Sequence, residues 1–344
     1  MIIPFEKSYR KKYYKMLDWV FESSFLSHGK MNDIFEKKFS HFTNLYCSTV
    51  SNGGAGLLTL LKYVGVEGKD VIVPTNTFMA TPLAVEMAGG NVIFADCKRE
   101  DLCIGLGNIK QVITKNTKAV IVVHIGGHIA FDIFEISKFC KLKGIALIED
   151  CAHAHGASFK GKSAGSFGVG GSYSFYATKT MPMGEGGMVV SSSKEVISFV
   201  NKFKNYGKVE YKPGKFIYPV RGFNFRMSEI MAAFGIIQLE RTDKIINWKR
   251  ILASKYDKIF SKEQRIVFPK GMKSGYYKYI VFNTNLKQKT GGVFNELCHN
   301  LLGIKGNFKN SSYIAKKHSC PPIYYGWEHA EKSIDELRQI IFNN

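Results

Sequence analysis

Short apolar runs, separated by stretches with helical spacing, fill the first two thirds of the chain. The runs are Asp70–Pro74 (DVIVP), Asn91–Ala95 (NVIFA), Ala119–Val123 (AVIVV), Ile145–Asp150 (IALIED), Gly171–Phe175 (GSYSF) and Gly187–Val190 (GMVV). Each is too short for a helix and nearly all are continuously apolar, which predicts strands buried on both faces. The intervening segments Ala55–Val64, Met79–Ala88 and Phe134–Leu142 carry apolar residues at helical spacing. Apolar strands alternating with helices predict an α/β fold around a mostly parallel sheet. In such a sheet ligands bind beyond the carboxyl ends of the strands, so chemistry is sought at the residues that follow each run.

After Asn224 the pattern changes. Met227–Leu239 and Ile245–Phe260 read as two helices. A strand is expected at Tyr277–Asn283 (YKYIVFN), with further helices over 293–302 and at Glu328–Ile341. This predicts a large domain over 1–240, with an N-terminal helical segment, and a small α+β domain over 241–344. No internal repeat and no low-complexity linker is present. A chain of 344 residues is long enough for such a pair of cores.

Composition narrows the setting. No stretch of about 18 apolar residues is free of charge, so no membrane span is expected. The start, MIIPFEKSYRKKYYKMLDWV, lacks the order of a signal peptide: its basic stretch follows the first apolar residues, and no apolar region comes after it. The seven cysteines are an odd number, scattered and without a CxxC pair, which fits reduced thiols in the cytoplasm. The 48 basic and 28 acidic residues leave a formal charge of +20. A basic surface can hold nucleic acid or an anionic membrane. The lysines are dispersed, however, with no run of five like charges, and the expectation is neither partner but solvated faces and an anionic substrate.

Four local signals fall at strand ends or turns. Ser51-Asn52-Gly53-Gly54-Ala55-Gly56 leads into a helix, where small residues and free N–H groups suit a phosphate; a plain Gly-rich turn has the same look. Asp150 ends the IALIED run, where a carboxylate can hold a positive ring nitrogen or cap a loop. Cys151, His153 and His155 alternate after it in the manner of metal ligands, but no fourth ligand accompanies them, and no metal is expected. Lys179 sits in GSYSFYATKTMPMGEGG (171–187), fenced by glycines, with a hydroxyl at Ser174 and aromatic neighbours. A partly desolvated amine there suits a Schiff-base nucleophile. Gly222-Phe223-Asn224-Phe225-Arg226 precedes the Met227 helix and reads by itself as a capped loop.

Together these signals resemble the DegT/StrS family of nucleotide-sugar aminotransferases, which depend on pyridoxal 5'-phosphate (PLP). The resemblance runs through SFLSHGKMNDIFEKKF (24–39), SNGGAGLLTLL (51–61), DVIVPTNTFMATPLAVEMAGGNVIFAD (70–96), VVHIGGH (122–128), IEDCAHAHGA (148–157), SYSFYATKTMPMGEGGMVV (172–190) and GFNFRMSEIMAAFGIIQLERTD (222–243). The SFxATK…GEGG and GxNxRMSxIxAAxxxxQL segments are specific, and the likeness thins beyond residue 260.

The resemblance implies an aspartate-aminotransferase-type fold and a role for each matching position. Lys179 matches the lysine that carries PLP as a Schiff base. Asp150 matches the carboxylate that keeps the pyridine nitrogen protonated. Phe78 matches the aromatic stacked on the ring, an arrangement worth about 1 kcal/mol. His153 stands beside the ring hydroxyl, Ser174 at the phosphate, and Gly53 and Gly54 in the phosphate turn. Asn224 matches an asparagine that reaches the phosphate of a second subunit, implying an obligate homodimer. The implied reaction moves an amino group from L-glutamate to a keto group of a nucleotide-linked deoxysugar, with Lys179 as nucleophile and proton carrier. Gly54 stands where the family usually has threonine, and HSCPPIYYGW (318–327) matches the family's substrate-side loop only loosely. Other PLP chemistry on a keto-sugar or cyclitol, and a non-catalytic regulator on the same fold, are the alternatives. Family dehydratases carry histidine at the lysine position, so Lys179 argues against that chemistry.

Overall fold

The computed structural model describes residues 5–294 and 296–342. Two helices open the chain, α1 (Lys7–Glu22) and α2 (Lys30–Thr43). Then come β1 (Tyr46–Val50), α3 (Gly53–Val64), β2 (Asp70–Pro74), α4 (Ala80–Met87), β3 (Asn91–Ala95), α5 (Leu106–Val112), β4 (Thr117–Val123), α6 (Ile133–Lys143) and β5 (Ala146–Asp150). A two-residue hairpin, β6 (Ser158–Phe159) and β7 (Lys162–Ser163), precedes β8 (Gly170–Ser174), β9 (Gly187–Ser191) and α7 (Lys194–Phe203). The seven-stranded sheet has the order β1-β9-β8-β5-β4-β2-β3. The run from β3 to β8 is parallel, and β9 is antiparallel to both β8 and β1. All six expected strands are present; β1 and the helices α5 and α7 are additional.

The sheet divides the core. One face packs Leu57, Leu60 and Leu61 of α3 and Val85 of α4 against Val71, Val73 and Ile121. The other packs Phe35 and Phe39 of α2 against Tyr173, Phe175 and Val122. Gly187 is paired with Val50 on one side and Ser174 on the other, so three strand ends meet there. A Cβ on Gly187 would come within 2.5 Å of the Asn52 backbone; only glycine lets the loop into α3 lie across this strand.

After a hairpin at Val209–Lys212 and Lys215–Ile217, one long helix, α8 (Glu229–Ile259), replaces the two expected helices. The polar segment between them, Glu240–Lys244, holds no glycine or proline to break a helix. Arg241 within it is buried and pairs with Glu6 at 3.0 Å. The expected domain boundary at 240/241 falls inside α8. The helix also anchors the start of the chain. Gly29 heads α2 without a side-chain cap, and Glu229 replaces one: its carboxylate accepts the backbone N–H groups of Gly29 (2.8 Å), Met31 (2.8 Å) and Asn32 (3.0 Å) and the Asn32 side-chain amide (2.7 Å). Glu229→Ala leaves those donors unpaired, two of the three backbone groups being buried, and is expected to cost about 3 kcal/mol in denaturant unfolding.

The C-terminal part departs furthest from expectation. Only Val281–Phe282 of the expected strand at Tyr277–Asn283 forms a ladder, with His318–Ser319. The residues before it bond to a loop instead: Gly275 N–H donates to Gly127 O (2.8 Å) and Lys278 N–H to Gly126 O (3.0 Å). The helix expected over 293–302 crosses residue 295, which lies outside the described residues, and Cys298–Leu301 is helical. The last helix begins at Ile334, not Glu328, because Ser333 and Glu336 cap each other reciprocally. Among the described residues no helix is long and apolar enough to cross a membrane.

Candidate active site

The carboxyl ends of β2, β4, β5 and β8 open on one edge of the sheet, and the expected site residues collect there. Asp150 is the last residue of β5 and only 6% exposed. Its carboxylate is fixed from two sides: Thr81 Oγ1 of α4 donates at 2.9 Å, and the Ala152 N–H donates at 3.0 Å. Thr77 in turn lies 3.0 Å from Thr81 through the two hydroxyls. Phe78, one residue on, is 77% exposed, a large apolar ring left uncovered.

Lys179 sits in the loop between β8 and β9, which is closed by its own backbone. Phe175 N–H donates to Gly186 O (2.9 Å), Ala177 N–H to Gly184 O (3.1 Å) and Lys179 N–H to Tyr176 O (2.9 Å). Its Nζ lies 5.0 Å from the centroid of the Tyr277 ring. Burial pulls the amine down to about 8, with Lys278 acting in the same direction and Asp150 against it. His153 stacks on the other ring system of this group: its imidazole and the Tyr277 ring are 4.0 Å apart at 16°. Burial first, then Lys179, His155 and Lys278, holds His153 far below the ordinary histidine value, so it is neutral near pH 7.

The glycine turn after β1 leads directly into α3. Asn52 caps α3 by accepting the Ala55 N–H at 2.8 Å, which places Gly53 and Gly54 in the first turn, where backbone N–H groups have no helical partner. Gly53 faces Ser174 so closely that an added Cβ would stand 3.0 Å from the serine Cβ. Asn224 stands apart. It is exposed, and its side-chain oxygen accepts the Arg226 N–H of its own loop at 3.3 Å.

Three residues escaped sequence reasoning. Thr81 lies inside a helix and meets Asp150 only once β5 and α4 are assembled. Tyr277 and Lys278 lie where the family resemblance has thinned. Nearby, His124, Glu149 and Cys151 bring ligand-type atoms within 4.8 Å of one another, but the polar atoms of His124 and Glu149 are already engaged. Glu149 already accepts from His124 Nε2 (2.9 Å) and from the N–H groups of Gly165 (2.6 Å), Phe167 (2.6 Å) and Gly168 (3.1 Å), and His124 Nδ1 accepts the Ala130 N–H. His124 and Glu149 form a buried knot that ties β4 and β5 to the loop before β8.

With a lysine, a buried carboxylate and a glycine turn at its strand ends, this sheet has the aspartate-aminotransferase-like fold. The aminotransferase TlmJ from Streptoalloteichus hindustanus superposes with a TM-score of 0.86 at 23% identity, covering 98% of each chain. DesV from S. venezuelae superposes at 0.87, with the same identity and coverage. The chain belongs to the DegT/DnrJ/EryC1/StrS aminotransferase family, whose profile matches residues 7–324. It is 39% identical over 259 residues to a GDP-perosamine synthase of Vibrio cholerae, covering 74% of this chain and 70% of that one. A GDP-perosamine synthase of Escherichia coli O157:H7 is also 39% identical, over 234 residues, covering 67% of this chain and 64% of that one.

Proposed function

We propose that this aminotransferase uses PLP to move an amino group from L-glutamate to a keto group on a nucleotide-linked deoxysugar. The observation that carries the reading is the convergence of Asp150 and Lys179 on one edge of the sheet, with the Gly53–Ser174 turn beside them. Two relatives that are 39% identical to this chain, both named GDP-perosamine synthase, support the substrate class.

The residues fit the cofactor. Phe78 offers an uncovered ring for stacking. Gly53 lets the turn approach Ser174 closely, since an added Cβ would stand 3.0 Å from the serine Cβ, and the first turn of α3 has backbone N–H groups without helical partners, which suits a phosphate. Bound there, PLP supplies an electron-withdrawing ring that stabilises charge at the carbon losing its proton. Asp150, oriented by Thr81 and Ala152, holds a proton on the ring nitrogen. Ser174, Gly53 and Gly54 bind the phosphate, and Asn224 of the partner subunit completes that site in a homodimer. Lys179 Nζ attaches the cofactor and, once released, takes a proton from one carbon and returns it to another. Its lowered basicity suits both tasks, since a base works best with a pKa near the operating pH.

The test is incubation of PLP-loaded protein with glutamate and a panel of nucleotide-linked keto-sugars, followed by mass spectrometry. An aminated nucleotide sugar is expected. Amination of a free keto-cyclitol alone would replace the substrate class, and no amination of any acceptor would contradict the reading. In light scattering the protein is expected to be a dimer even when dilute; a monomer with full PLP affinity would remove Asn224 from the site.

Gly54→Thr restores the hydroxyl that relatives usually carry. A Cβ there would stand 3.3 Å from Asn52 Oδ1 and 3.6 Å from Ala80 Cβ, so the space is tight but present. PLP titration is expected to show equal or tighter binding. A large loss would mean that this turn is not the phosphate cradle.

A further inference from the structure

In a two-stage transfer, Lys179 spends part of each cycle as a free amine carrying a proton. Something has to hold that ammonium. Asp150 is the one carboxylate among the groups found to act on Lys179, and in the proposed function it is committed to the cofactor's ring nitrogen. Among the described residues no carboxylate forms an ion pair with Lys179. The other neighbours are repulsive or neutral. Lys278 Nζ lies 5.8 Å from the Tyr277 ring centroid, anchored to Thr290 O at 2.6 Å. Lys249, from α8, donates to Thr180 Oγ1 (3.4 Å) and Tyr276 O (3.2 Å), and burial pulls it down to about 7. His153 and His155, on the loop after β5, are held neutral mainly by burial.

What remains as a negative surface is the face of Tyr277, 5.0 Å from the amine. An aromatic face attracts an ammonium, more strongly where water is excluded. This ring is also held in place. It stacks on His153, its hydroxyl lies 3.4 Å from Thr178 Oγ1, and the backbone on either side is bonded to Gly126 and Gly127. A Cβ on Gly127 would come within 2.5 Å of the Tyr277 nitrogen, so only glycine allows this approach.

We propose that Tyr277 is a positioning residue for Lys179: its ring receives the lysine ammonium whenever that amine is released, and keeps the proton on Nζ between its two transfers. The inference rests on the proposed role of Lys179. In the proton step one C–H bond of the donor breaks and one N–H bond forms at Nζ. The electron pair stays with the carbon, and the proton later leaves Nζ for a second carbon, so no other reactant is needed.

The experiment places phenylalanine and progressively fluorinated phenylalanines at position 277, which keep the ring's shape while removing the negative charge of its face. Two readouts are taken. In cofactor-free protein, the pH dependence of Lys179 modification by an amine reagent gives the amine's midpoint. In PLP-loaded protein, kcat and KM are measured for the glutamate half-reaction. Tyr277→Phe keeps the aromatic face and is the reference from which the series is read. Along the fluorinated series the midpoint should fall, by about half a unit to one unit in all, because a weaker cation–π contact favours the neutral amine. The kcat should fall in the same order while KM for glutamate stays constant. Tyr277→Leu serves as the fully apolar control, checked by melting and by PLP binding. A midpoint and kcat that stay flat along the series overturn the proposal, as does a Tyr277→Phe variant as impaired as the most fluorinated one. Borohydride labelling of a lysine other than Lys179 would overturn the underlying reading instead, and this inference with it.

Discussion

Lys179→Ala is expected to abolish turnover while leaving the fold intact. The loop around the residue is closed by backbone hydrogen bonds from Phe175, Ala177 and Lys179 itself, none of which needs the side chain. The amine contacts the Tyr277 ring rather than a core partner, so stability should change by less than about 1 kcal/mol. Function is different. A positioned base alone is worth roughly 10²–10⁴ in rate, and this amine also serves as the nucleophile that holds the cofactor. Both tasks vanish together, and product should fall below detection by mass spectrometry. PLP can still be held without a covalent bond by Ser174, the Gly53 turn and Asp150, which equilibrium dialysis would show. Turnover retained at more than a few per cent would contradict the role given to Lys179.

Asp150→Asn should give a different defect. The side chains are nearly the same size, and an amide can still meet the Thr81 hydroxyl and the Ala152 N–H, so the melting temperature should barely move. The lost negative charge no longer keeps a proton on the ring nitrogen. Removal of one preorganised electrostatic contact typically costs about 10²–10³ in rate, and a loss of at least that size is expected in kcat. Attachment at Lys179 should survive. A variant with near-normal kcat would mean that Asp150 is a structural carboxylate held by α4.

The two variants probe the residues that sequence made most visible, and the reason for that visibility is physical. Asp150 ends a continuous apolar run and Lys179 follows another, so the strand pattern by itself marks both positions. The glycine turn at 53–54 and the serine at 174 were legible for the same reason, and Gly187 shows why they adjoin: it pairs with both strand ends. Contacts made across the fold were not legible. Nothing local to Thr81 announces that its hydroxyl will reach Asp150, 69 positions away. Tyr277 lies in a segment that looks like an ordinary strand, yet its backbone bonds run to the loop after β4 and its ring turns toward Lys179. The single helix α8 was hidden by a polar stretch that is buried in the fold, where Arg241 meets Glu6. Polar residues read as surface until their partner, here at the opposite end of the chain, is known.

Every assigned role depends on where the cofactor is attached. Borohydride reduction of the PLP-loaded protein, followed by digestion and peptide mass mapping, locates that bond directly. A pyridoxyl label on the peptide containing Lys179 is the predicted result. A label on any other peptide would contradict the account, because the parts given to Asp150, Phe78, His153 and Ser174 are all placed around that one nitrogen.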